Sequence, residues 1–188
     1  IGTDMAVGKM TAGLELADSL RAEAKDVVFL ATGQTGICIS GNGIPLDAYK
    51  VDYASGAVEE MVLRYKNNKY LIIEGQGSLL NPGSTATLPL MRGSCPTALV
   101  LCHRHGLDVV ESDTKILIPP LDEVISLNEQ LATCLNSFPK AKVKAIALDT
   151  RGLDDVSAKN EIYKLQDKLN LPVTDPVRFS AKKLANAI

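Results

Sequence analysis

Gly2, Gly8, Lys9 and Thr11 stand together in the stretch "IGTDMAVGKMT", residues 1–11. Such a spacing can grip phosphate. Glycines let backbone N–H groups close on an anion, a helix start adds unpaired donors, and a lysine adds a point charge. Two details depart from the usual motif. Five residues separate the two glycines, one more than usual, and Met10 takes the place of the metal-binding Ser or Thr. A thioether does not serve a hard magnesium ion, which takes oxygen ligands. Thr11 can contact a phosphate oxygen instead, or bond back to a helix carbonyl. The expected cofactor-binding residues are Gly2, Thr3, Asp4, Val7, Gly8, Lys9, Met10 and Thr11.

Glu74 closes the apolar run "YLIIEG". Ligands of open α/β sheets sit beyond the carboxyl ends of strands, so Glu74 faces Lys9 if their strands are neighbours. There it would act as a general base or hold a magnesium ion. Thr32, Gly33, Gln34 and Thr35 open a Gly-rich loop at another strand end, which suits substrate contacts, as does Gln76 in "EGQGS". Asp47 and Asp52 are further substrate-binding candidates. Asp47 reads equally as a turn residue and Asp52 as the N-cap of the following helix.

His103 ends the strand "TALVLCH", and His105 follows it. With Cys102 they lack a zinc ligand set, so His103 reads as a second catalytic candidate, a base or substrate contact, and equally as a hydrogen-bonded loop histidine. Asp149, Arg151, Gly152, Asp175 and Arg178 follow later strands at the same expected edge. They suit a base, ribose or carboxylate as well as plain surface ion pairs.

These residues need elements to position them. A helix over 8–24 follows from the spacing of Met10, Leu14, Ala17 and Leu20. Ala54, Ala57, Val58, Met61, Val62 and Tyr65 predict a helix over 53–66. Further helices are expected over 121–136, 154–169 and 180–188. Strands are expected over 26–32, 70–75, 97–103, 142–150 and 171–175. The segments 32–47 and 76–87 read as loop, the first with four glycines and a proline. Alternating strands and helices predict an α/β fold of three layers with a mainly parallel sheet, in one domain over 1–188. A phosphate loop normally follows a buried strand, and here only Ile1 precedes Gly2. The expectation is a longer protein whose upstream part holds that strand and an N-terminal domain.

Composition narrows the class. Hydrophobic residues are 46%, charged residues 22% and aromatics 4%, with a net charge of −2. The chain is globular, has no basic block for nucleic acid, and has no apolar run of bilayer length. Four scattered cysteines without a CxxC pair suit reduced thiols in a cytoplasmic protein.

The loop "GTDMAVGK" and "IIEGQGS" resemble dethiobiotin synthetase and its cobyrinate-amidating relatives, although Met10 departs from their Thr. A broader resemblance covers essentially the whole chain. "GTDMAVGKMT", "TGQTGICISGNGIPLDAYKVDYASGAVE", "LIIEGQGSL", "LVLCH", "ALDTRGL" and "LPVTDPVRF" occur in this order. They look like the C-terminal P-loop domain of a bacterial and archaeal family that includes D-glutamate N-acetyltransferase. This resemblance implies a P-loop NTPase-like fold, an additional N-terminal α/β domain, and acetyl transfer from acetyl-CoA to the nitrogen of a D-amino acid. A loop without its metal-binding hydroxyl suits the diphosphate of coenzyme A as well as ATP. Two alternatives stay open: an ATP-dependent, magnesium-assisted ligase or carboxylase, and a non-catalytic nucleotide-sensing module. A homo-oligomer is expected.

Overall fold

The computed structural model describes residues 1–188. Short apolar runs form parallel strands. β1 (Val27–Leu30) pairs with β2 (Tyr70–Ile73) in register Val27 to Tyr70. β3 (Ala98–Arg104), β6 (Lys142–Asp149) and β7 (Val173–Thr174) form a second parallel sheet in the order β3-β6-β7. Between these sheets lies the segment Ile1–Thr3. The Cys102 N–H donates to the Ile1 carbonyl at 2.9 Å, and the Thr3 N–H donates to the Cys102 carbonyl at 3.1 Å. The end of β2 is as near on the other side, since a Cβ on Gly75 would lie 3.1 Å from the Ile1 nitrogen.

Side-chain alternation then divides the core into layers. Val27, Phe29, Tyr70, Ile72, Val100, Cys102, Ala145 and Ala147 face α1 (Lys9–Ala22) and α7 (Lys182–Ala185). On the opposite face Val28, Leu30, Leu71 and Ile73 meet α3 (Val51–Arg64) and α4 (Thr87–Ser94). Leu99, Leu101, Ile146 and Leu148 there meet α5 (Leu121–Thr133) and α6 (Asp155–Leu169). This is the expected three-layer α/β arrangement. No helix is long and apolar enough to cross a membrane.

Some local expectations differ. The 32–47 segment holds a helix, α2 (Gln34–Ser40), and a 3₁₀ turn over Leu46–Ala48. Turn-forming residues hide α2 in the sequence, and Gly36 is its one buried residue. Helix α4 emerges from "TLPLMRGS", where Pro and Gly argue against one. It survives by packing on α3: a Cβ on Gly93 would lie 2.2 Å from the Ser55 carbonyl oxygen. An antiparallel pair, β4 (Val109–Val110) and β5 (Ile116–Leu117), was not expected. Helix α7 is shorter than the predicted 180–188, and the N-cap of α3 is Lys50 rather than Asp52.

Candidate functional site: an anion cradle at the sheet edge

The turn into α1 is made by Gly8, which takes a left-handed φ of 86° as N-cap. Gly2 is equally constrained, since a Cβ there would meet the Val7 side chain at 2.8 Å. The loop thus folds over itself. Lys9 is buried and reaches back along it, its Nζ donating to the Asp4 carbonyl at 2.6 Å and to the Met5 carbonyl. The N–H groups of Ala6, Val7, Gly8, Lys9, Met10 and Thr11 find no acceptor within the protein. Six successive unpaired donors at a helix start form a cradle for an anion. Burial pulls the Lys9 ammonium below its usual value, while Cys102, Asp4 and Glu74 oppose that shift.

Asp4 holds this loop rather than facing a ligand. Its Oδ1 accepts from the Met5 N–H and the Asn81 amide, both at 2.7 Å, and its Oδ2 accepts from the Glu111 N–H at 2.7 Å. Burial pushes the Asp4 carboxyl up, but these three donors and Lys9 together hold it below its usual value. Asn81 and Glu111 carry little signal in the sequence. "NPGS" signals only a turn, and a backbone N–H leaves no signal at all.

Glu74 lies on the Lys9 side of the site, as expected. A Cβ on the adjacent Gly75 would lie 3.0 Å from the Lys9 stem. The Glu74 carboxylate is buried and seated on the start of α2, where Oε2 accepts from the Thr32 and Gly33 N–H groups at 2.8 and 3.1 Å. The Thr32 hydroxyl donates to the Glu74 carbonyl at 2.9 Å. Gly36 makes room, because a Cβ there would stand 2.5 Å from Oε2. Glu74 Oε1 has no hydrogen bond within the protein. Gln76 joins this group, its Oε1 being 3.4 Å from where a Gly33 Cβ would sit. Gln34 donates to Asp47 at 3.2 Å on the surface. Thr35 and Asp52 are exposed, and Asp52 has no hydrogen bond to any of these residues. Nowhere do three His, Cys, Asp or Glu side chains converge as a metal cage. A magnesium ion bridging phosphates would find one free acidic oxygen here, Glu74 Oε1.

A cavity of about 260 Å³ runs on from the cradle. Val7, Gly8 and Thr11 of the loop line it together with Ala147, Arg151, Val177 and Arg178. Its charged walls are already braced. Asp175 accepts from the N–H groups of Thr150, Val177 and Arg178, and from the Thr150 hydroxyl at 2.6 Å. Burial pushes the Asp175 carboxyl up, but these donors hold it below its usual value. Arg151 pairs with Asp149 at 2.6 Å, and Arg178 donates to the Leu153 carbonyl at 2.8 Å.

His103 lies apart from Glu74, in a separate cavity bordered by α5 and α6 that contains no residue of the anion cradle. Its Nδ1 is 2.9 Å from the Thr3 hydroxyl, which is fully buried and has no other partner. Burial pulls the imidazole down to about 4 against the attraction of Asp108, with His105 and Arg104 adding to the lowering. At neutral pH the ring is therefore neutral.

The phosphate loop, its helix and its acidic strand end match a known pattern over almost the full length, for residues 1–185 fit the family described as "Domain of unknown function (DUF1611_C) P-loop domain". The chain belongs to this DUF1611 family. It is 33% identical over 189 residues to a D-glutamate N-acetyltransferase of Tritonibacter scottomollicae, covering 100% of this chain and 56% of that protein. A D-glutamate N-acetyltransferase of Pseudoalteromonas sp is 36% identical over 180 residues, covering 95% of this chain and 53% of that protein. The chain thus spans about half the length of these curated relatives. A crystal structure of a DUF1611 family protein from Anabaena variabilis superposes with a TM-score of 0.96 at 51% identity, covering 100% of this chain and 55% of that one.

Proposed function

We propose that this domain binds acetyl-CoA through its phosphate loop, within an enzyme that transfers the acetyl group to the amino nitrogen of a D-amino acid such as D-glutamate. One observation carries the reading: the unpaired N–H groups from Ala6 to Thr11 belong to a loop that lines the same cavity as Arg151, Val177 and Arg178. That combination suits a diphosphate joined to a nucleoside. The names of two relatives supply the acetyl transfer. In this mechanism the loop N–H groups and Lys9 hold the diphosphate. The attacking amine must be neutral, and Glu74, whose Oε1 has its lone pairs free, accepts its proton. The nitrogen then adds to the thioester carbonyl and the thiolate of coenzyme A leaves.

A second reading is ATP-dependent ligation, favoured by Glu74 beside Lys9. There Lys9 would stabilise charge on the transferred phosphoryl group, and Glu74 would hold a magnesium ion that neutralises phosphate charge. Incubating the intact protein with acetyl-CoA and a panel of D- and L-amino acids, with ATP hydrolysis followed in parallel, separates the two. Acetylation of a D-amino acid is expected, with coenzyme A binding by calorimetry that needs no magnesium and weakens at least about tenfold in Lys9→Ala. Tight magnesium-dependent ATP binding with no coenzyme A binding would overturn the proposal. Nucleotide binding without turnover of either kind would point to a sensing module.

A further inference from the structure

The groove holding His103 has its own chemistry. It lies on the face of the sheet opposite α1, since Leu148 opens into it whereas the neighbouring Ala147 lines the cradle cavity. Leu121, Leu148 and Leu165 give it apolar walls, and His103, His105, Glu161, Lys164 and Lys168 supply the polar ones. Its volume is about 210 Å³. That is below the roughly 300–1,000 Å³ of drug-sized sites and suits a small molecule.

The Thr3 hydroxyl decides which nitrogen of His103 carries the proton. Thr3 Oγ1 is fully buried and its sole partner is His103 Nδ1. A buried hydroxyl must place its hydrogen on an acceptor, so Thr3 donates and Nδ1 is unprotonated. The neutral ring then carries its proton on Nε2, the nitrogen turned away from Thr3 on the ring that lines the groove. Nε2 has no acceptor in the protein. Around it, Lys164 bonds to Glu161 at 2.6 Å and His105 Nδ1 lies 3.8 Å from the same carboxylate. Glu161 is the one acidic residue that lines the groove, with the Asp108 carboxylate acting on His103 from outside the lining, and Lys168 makes no ion pair.

A fixed N–H donor in the wall, a free ammonium and an apolar lining select for a ligand with accepting oxygens, a negative charge and a short hydrocarbon body. We infer that this groove binds a small carboxylate, held by His103 Nε2–H and Lys168 and bonded through the imidazole to Thr3 of the phosphate loop. The inference does not depend on what fills the phosphate cradle. It also removes His103 from the role of base, because the nitrogen facing the groove already holds its proton.

The test uses the intact protein with glutarate and D-glutamate as probes, read by imidazole ¹⁵N shifts and calorimetry. Saturable binding of both is expected, with the His103 Nε2 resonance moving. Lys168→Ala should weaken both about tenfold. Thr3→Val should alter the tautomer signature of His103 and weaken binding, and Thr3→Ser should restore both. Binding of D-glutamate alone, with glutarate inert and Lys168→Ala without effect, would overturn the carboxylate assignment. Absence of saturable binding, or binding that leaves the His103 Nε2 resonance unmoved, would overturn the site while leaving coenzyme A binding at the cradle to be judged separately.

Discussion

The two cavities share one sheet end yet treat their polar groups in opposite ways. Around the phosphate cradle nearly every side chain is committed: Asp4 to three donors, Asp175 to four, Glu74 Oε2 to two and Lys9 to two carbonyls. What stays unpaired there is backbone, with Glu74 Oε1 the exception. Across the sheet the balance is reversed: His103 Nε2 and Lys168 are without partners, and the backbone is ordinary strand and helix. A rigid site reads shape and charge with N–H groups that need not move. An open groove reads its ligand with side chains that can adapt. The difference teaches that a buried carboxylate near a lysine is no proof of catalysis, since here it more often holds a loop in shape.

The contrast can be broken first at Asp4. Replacing it with Ala strands the Glu111 and Met5 N–H groups and the Asn81 amide. A loss of about 4 kcal/mol is expected in urea unfolding, together with loss of anion binding. A change below about 1 kcal/mol would mean that the loop is not braced as described.

The next largest effect belongs to the groove. The native pKa of His103, about 4, lies below its unfolded value near 6.5, so only the unfolded chain takes up the proton between those values. The native state therefore loses stability as pH falls from about 6.5 to 4, by up to about 3 kcal/mol. His103→Gln should flatten that part of the pH profile of the urea midpoint. An unchanged profile would show that the imidazole already protonates in the native protein.

Gly36→Ala sharpens the cradle side. The added methyl group pushes Glu74 off the start of α2 at a cost of about 2 kcal/mol, measurable by thermal melting. Smallest of all is Lys164→Ala. Its ion pair with Glu161 is solvent-exposed, with the lysine side chain 72% accessible, and less than about 0.5 kcal/mol should be lost. A larger loss would make the groove as braced as the cradle.

Much of this was legible in the residues. The layer order follows from alternating apolar runs and helical stripes, because burial on both faces leaves a plain pattern. Lys9, Glu74, Thr32 and Gly33 do come together, because strand ends of a parallel sheet share one edge. Helices α2 and α4 were hidden because tertiary packing, through Gly36 and Gly93, overrides weak local propensity. The committed state of Asp4 was equally hidden. Two of its three partners are 77 and 107 residues away, and the more distant is a main-chain group.

That last bond turns the molecule into its own recorder. Glu111 is exposed, and an amide on such a turn would normally trade its hydrogen with water quickly. Here the amide is tied to a carboxylate under the phosphate loop. Its exchange clock therefore runs at the pace of the loop's opening. Any ligand that settles into the cradle should slow that clock at a site it never touches.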